Sequence, residues 1–248
     1  MLVLITGAAG FIAPVVSKDL CRRHELRLLD IVDVKDPKGE VFKGSVTDYA
    51  FVDRAMQGVD AVVHMARAAH LPMLPRPMHP DHLKDLEMNF EVNVGGTYNV
   101  CRAALEKKVR RFVYTSTHAV WIHNPGYEVT PSQGGLVTTE EVEPTPKPEY
   151  PYALTKYLGE KVVEVFAKAG LPSIILRLGQ VAATWPEKKS IEWNLVHISD
   201  VSQAVRLALE NETVWFDIFN IFGAFKETNY PIEKTRRILG YSPRYGDV

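Results

Sequence analysis

Apolar positions along this chain fall into short, β-branched runs that alternate with longer stretches of helical period. Leu2 to Ile5, Leu26 to Leu29, Val41 to Lys43, Ala61 to His64, Arg111 to Tyr114, Ser173 to Leu176 and Phe216 to Phe219 each predict a strand. Phe11 to Arg22, Tyr49 to Gln57, Asp85 to Lys107, Tyr152 to Lys168, Val201 to Leu209 and Ile232 to Leu239 predict helices. Strands without polar alternation are buried on both faces, so the expected architecture is α/β, a doubly wound parallel sheet with helices on either side. Two connections are long for such a fold: residues 67–84, with Pro72, Pro75, Pro77 and Pro80 beside His70, His79 and His82, and residues 122–151, rich in Pro, Gly, Thr and Glu. Loops of that length in a small domain usually serve as lids or binding segments.

Composition narrows the class without choosing the chemistry. A chain of 248 residues, 46% hydrophobic and 24% charged, fits one soluble α/β domain. Its formal net charge of -1 gives no electrostatic reason to expect nucleic acid or an anionic membrane as partner. No stretch approaches the ~20 apolar residues of a membrane span. The opening run Leu2 to Thr6 is strand-length and not a signal peptide, so a cytoplasmic location is expected. Cys21 and Cys101 lie in apolar helical stretches without paired spacing, which reads as two reduced, buried thiols.

The first chemical signal is Gly7-Ala8-Ala9-Gly10, between the first strand and the helix opening at Phe11-Ile12. Glycine there lets the backbone turn sharply and approach a pyrophosphate, while the helix N-terminus offers free N–H groups to the anion. Ala13 stands where a third glycine is usual, and Pro14 falls in the first helical turn, where its missing N–H does little harm. Asp30, at the end of the second strand, can accept hydrogen bonds from ribose hydroxyls and would repel a 2′-phosphate, which favours NAD over NADP.

The second signal is Tyr152 and Lys156, four residues apart and so on one helix face. A phenol titrates near pH 10, and a neighbouring ammonium favours the phenolate, so the pair can act as a proton acceptor or donor.

Taken in order, Thr6 to Ile12, Val63-His64-Met65-Ala66, Asn93 to Thr97, Tyr114 to Thr117, Tyr152 to Lys156 and Val196 to Val201 resemble the extended short-chain dehydrogenase/reductase family of NAD-dependent sugar epimerases, dehydratases and dehydrogenases. The resemblance implies a Rossmann-type domain over residues 1–178 and a small substrate lobe over 179–248 that is not an independent domain. It implies Thr117, Tyr152 and Lys156 as the catalytic trio, with Ser116 as the fallback hydroxyl. Thr117 would bind the substrate oxygen, Tyr152 transfer the proton, and Lys156 hold the nicotinamide ribose. The cofactor would lie against Gly7, Ala9, Gly10, Phe11, Ile12, Asp30, Val46, Met65, Ala66 and Asn93, with Tyr152 and Lys156; His64 reads as a strand-end histidine.

Departures from the family pattern carry information too. Ser45 follows Gly44 where an acidic residue is usual, and Trp121-Ile122 replaces Tyr-Gly. His118-Ala119 stands where dehydratases carry an acidic pair, which disfavours loss of water and makes His118 a candidate for touching substrate. About 70 residues follow Gly179, fewer than nucleotide-sugar members use, and that size resembles the uronate and simple-sugar dehydrogenases. An acidic substrate needs a cation; Arg177, at a strand's C-terminal end, is a candidate, with a structural ion pair as the alternative. The expectation is oxidation of a sugar or sugar-acid hydroxyl by hydride transfer to NAD. A 4-epimerase, a catalytically silent NAD-binding regulator and, least of all, a metal hydrolase using His70, His79 and His82 are the alternatives; no metal is expected. Apolar faces on Asp85 to Lys107 and Tyr152 to Lys168 suggest a homodimer.

Overall fold

Strand β1 (Leu2–Thr6) is buried along nearly its whole length, and it takes parallel partners on both edges, β2 (Glu25–Asp30) and β4 (Ala61–His64). Beyond β2 lies β3 (Glu40–Lys43); beyond β4 lie β5 (Arg111–Thr117), β6 (Ser173–Leu178) and β9 (Phe216–Ile221). The sheet order is β3-β2-β1-β4-β5-β6-β9, and all pairs are parallel. The chain therefore winds outward from β1 in one direction, returns, and continues from β4 in the other. A crevice opens where the two directions part, outside the carboxyl ends of β1 and β4, and α/β proteins bind ligands there. The computed structural model describes residues 1–68, 83–121, 124, 137–185, 194–226 and 228–246.

Two apolar layers hold the helices to the sheet. On one face, α1 (Ala13–Leu20) packs against α6 (Ile198–Glu210), with α7 (Glu233–Leu239) beside β9. On the other, α4 (Thr97–Glu106) lies between α2 (Tyr49–Ala55) and α5 (Pro151–Lys168). The register aligns Thr6 with His64, His64 with Tyr114, and Thr117 with Leu178, so the polar strand ends share one rim.

Three details differ from the hydrophobic pattern. The first helix begins at Ala13 and not Phe11, because residues 7–12 form a turn in which the Gly10 N–H donates to the Gly7 carbonyl. The long helix expected over residues 85–107 is α3 (Leu83–Asn89), a π-helical segment Phe90–Gly96, and then α4. Gly96 lets Val46 approach: a Cβ there would stand 2.5 Å from the valine's Cγ2. Finally, β7 (Gln180–Ala182) and β8 (Leu195–His197) make a separate parallel pair too short to show a period.

Candidate active site

The turn after β1 is built by backbone geometry. Gly7 has φ +71°, and a Cβ on it would sit 2.7 Å from the Ala66 nitrogen, so glycine is required twice over. Its N–H and that of Ala8 both donate to the Leu29 carbonyl, which ties the turn to β2. Asp30 adds a second tie: one carboxylate oxygen accepts from the Ala9 N–H at 2.9 Å and the other from the Val32 N–H at 3.1 Å. The Phe11 and Ile12 N–H groups, ahead of α1, have no intramolecular acceptor among the described residues. Free donors at a helix N-terminus, beside a cradle that admits no side chain, fit a dinucleotide's pyrophosphate. Phe11, Ile31 and Val32 stand exposed around this turn. Met65 and Ala66 form its opposite wall, the Met65 N–H bonded to the Thr6 carbonyl and the Ala66 N–H to the Thr6 hydroxyl.

Across the rim, β5 and α5 bring Tyr152, Thr117 and Lys156 together. The Thr117 hydroxyl is near enough to Tyr152 to favour its phenolate, and it accepts from the Ala119 N–H at 3.2 Å. Lys156 is buried; its ammonium donates to the Thr115 carbonyl at 2.6 Å and lies 4.1 Å from the centre of the Tyr114 ring. Burial lowers the Lys156 pKa to about 7, with Glu160 opposing that fall and Arg67 adding to it. For Tyr152, burial pushes the phenol above its ordinary range, against the charge of Arg67 and the neighbouring Thr117 hydroxyl. This differs from the expectation of a phenol primed by Lys156: the cation that favours the phenolate is Arg67, whose guanidinium lies 5.9 Å from the Tyr152 ring centre.

The three residues expected at the substrate all have protein partners. Ser116 donates to Glu160, because alternation along β5 turns it away from the side that Thr117 faces. Arg177 makes a buried ion pair with the same carboxylate, 2.7 Å from Nη2 to Oε2, lies over the Trp121 ring and reaches the Glu140 carbonyl. The ion-pair alternative for Arg177 is therefore the one realised. His118 is buried with Phe222 and Tyr230, donates from Nδ1 to the Leu178 carbonyl at 3.1 Å, and its pKa falls to about 4 through desolvation.

Two expected cofactor residues are likewise enclosed. Asn93 donates to Asn89 and to Thr155, and accepts from the Ala68 N–H at 2.8 Å, so it fastens the end of β4 to α5. Val46 packs against Gly96. His64 lies between two threonines, its Nδ1 2.6 Å from Thr6 Oγ1 and its Nε2 2.9 Å from Thr97 Oγ1. Thr97 donates its own proton to the Asn93 carbonyl, so the imidazole must donate from Nε2 and accept at Nδ1. Burial holds it neutral, with a pKa near 3. His70, His79 and His82 lie outside the described residues.

The model of the NAD dependent epimerase/dehydratase family matches residues 3–192. This chain belongs to that family. Among curated relatives, L-arabinose 1-dehydrogenase (NAD(P)(+)) of Haloferax volcanii is 28% identical, over 98% of this chain and 96% of its own length. NAD-dependent glucose-6-phosphate dehydrogenase of the same organism is 26% identical, over 98% and 92%. The solved structure of a mutated uronate dehydrogenase superposes with TM-score 0.81 at 21% identity, covering 99% of this chain and 82% of that one, a likeness of fold.

As a family member the chain is an NAD-dependent enzyme with a Rossmann fold. The acidic pair of the family's dehydratases is absent from the position after Thr117, where His118 is buried and neutral. Two residues near the reacting groups escaped the motifs. Glu160 was detectable as the residue one helical turn beyond Lys156, on the same side of α5. Arg67, directly after the Met65-Ala66 wall, carried no signal until the fold laid it over Tyr152. No helix among the described residues is long and apolar enough to cross a membrane.

Proposed function

We propose that this protein is a sugar dehydrogenase that oxidises a hydroxyl of a sugar or sugar acid with NAD. The observation that carries the reading is the grouping of Thr117 at the end of β5 with Tyr152 and, one turn along α5, the buried Lys156, across the rim from the Gly7 turn. Bound NAD supplies the hydride acceptor. The chain's residues do the remainder: Thr117 holds the substrate oxygen and Tyr152 accepts its proton as the carbon–hydrogen bond breaks. Lys156 keeps two N–H donors beyond the one given to Thr115, and with these it would hold the nicotinamide ribose. The raised Tyr152 pKa makes the base scarce at low pH, so oxidation accelerates as pH rises. The sugar-dehydrogenase names of the relatives favour net oxidation over transient oxidation and re-reduction.

The lobe over residues 179–248 is proposed to wall the substrate side. A cytoplasmic homodimer is proposed as well. Met88, Phe90, Tyr98 and Val165 are exposed on α3, its π-helical extension, α4 and α5, and Tyr98 meets Phe166 edge-on at 5.4 Å. Sedimentation checks the dimer; a monomer at micromolar concentration rejects it. The test of function is incubation with NAD and a panel of neutral sugars, uronic acids and nucleotide sugars. Bulk formation of reduced coenzyme with one of them is the expected result. An inverted sugar without net coenzyme reduction would instead establish the epimerase.

A further inference from the structure

Near the reacting groups, two arginines stand in opposite situations. Arg177 is buried, neutralised by Glu160 and covered by Trp121. Arg67 is exposed, at the mouth of the crevice directly after the wall of the nucleotide turn. Among the described residues its only hydrogen bond is from Nη1 to the neighbouring Ala68 carbonyl at 3.1 Å, and it has no acidic partner there. Lys156, the other cation at the site, lies behind Tyr152 with its ammonium on the Thr115 carbonyl.

We infer that Arg67 is the anion-recognition residue of this site, and that the substrate is a sugar carrying a negative charge, a carboxylate or a phosphate. The inference rests on the dehydrogenase reading above and names its substrate class. A guanidinium presents a planar fork of donors that matches either oxyanion, and a single backbone carbonyl uses little of it. Its place 5.9 Å from the Tyr152 ring centre puts that fork about one sugar ring from the hydroxyl that Tyr152 and Thr117 hold. A ligand carboxylate or phosphate there supplies the counter-charge that the chain itself withholds from Arg67 while supplying it to Arg177. Because Arg67 also favours the phenolate of Tyr152, substrate charge and proton transfer meet on one side chain.

The test compares a hexuronic acid, the matching hexose 6-phosphate and the neutral hexose as substrates, with the NAD-saturated wild-type enzyme and with R67Q and R67K. The wild type is expected to use one of the two anionic sugars at least ~10-fold better in kcat/KM than the neutral one. R67Q is expected to lower that ratio about 10-fold, mainly through KM, and R67K to recover part of it. Which anionic sugar leads decides between carboxylate and phosphate. A preference for the neutral hexose, or a ratio that R67Q leaves unchanged, overturns the inference while NAD-dependent sugar oxidation stands. Absence of coenzyme reduction with all three, while calorimetry shows NAD bound, counts against the dehydrogenase reading itself.

Discussion

The two sides of the crevice solve the problem of holding a polar ligand by opposite means. On the nucleotide side, between β1, β2 and β4, the working parts are backbone N–H groups and a positive-φ glycine, and the one carboxylate, Asp30, is tied to backbone donors. On the substrate side, at the ends of β5 and β6, the working parts are ionisable side chains: Lys156, Glu160, Arg177 and His118 buried together, and Tyr152 half-buried beside them. The first side depends on shape. The second depends on charges that must balance at every moment. An enzyme that binds one coenzyme and a variable substrate gains from that division.

The largest effects should come from the charged side. Tyr152→Phe removes the proton acceptor, so kcat is expected to fall ~10²- to 10⁴-fold while calorimetry still detects NAD binding; a fall under about 10-fold would show that another group takes the proton. Glu160→Ala leaves Arg177 buried without its partner and removes the carboxylate that opposes the fall of the Lys156 pKa. Breaking a buried pair costs about 3–5 kcal/mol of folding stability, read from urea denaturation; a change under about 1 kcal/mol would mean water already reaches the pair.

The shape-dependent side is probed by Gly7→Ala. The substitution puts a Cβ 2.7 Å from the Ala66 nitrogen at φ +71°. Strain of this kind costs of order 1–3 kcal/mol, and NAD affinity is expected to drop more than ~10-fold. Wild-type affinity in this variant would show that the turn does not have to approach the wall so closely.

Smallest under ordinary conditions is the pH response. Buried neutral His118 and His64 have pKa values of about 4 and about 3 against an ordinary 6.5. The unfolded chain therefore binds more protons than the native one below pH 6.5, and stability falls as pH drops from there through about 4 and then about 3. Lys156 has the same sign higher up: between its native pKa of about 7 and the ordinary 10.5, stability rises with pH. A thermal midpoint that stays level from pH 7 to pH 4 would contradict the neutral histidines.

How much of this could be read from residues alone follows the same division. Every strand of the main sheet was visible, because strands buried on both faces leave uninterrupted apolar runs. Gly7 and Asp30 were visible because a backbone turn imposes its residues locally. Tyr152 and Lys156 were visible through a single helix's spacing. Partnerships across elements were not. Nothing near Arg177 in sequence announces Glu160, which reaches it from another element and lies on the helix turn beyond Lys156. Ser116 and Thr117 are neighbours in the chain, yet strand alternation sends one to Glu160 and the other to Tyr152. The π-helical stretch in the long helix was hidden because apolar spacing does not register one extra residue per turn.

The relay from the Ala66 amide through Thr6, His64 and Thr97 to the Asn93 carbonyl has a consequence for how this protein tolerates change. Every proton in it points the same way, and an imidazole carries one proton on two nitrogens, so neither end can be rewired alone. Replacing either threonine with valine strands a ring nitrogen, and turning the ring over merely moves the fault to the other neighbour. The two positions, 91 residues apart in sequence, therefore form one inheritable unit, and in divergent copies they are expected to mutate together or not at all.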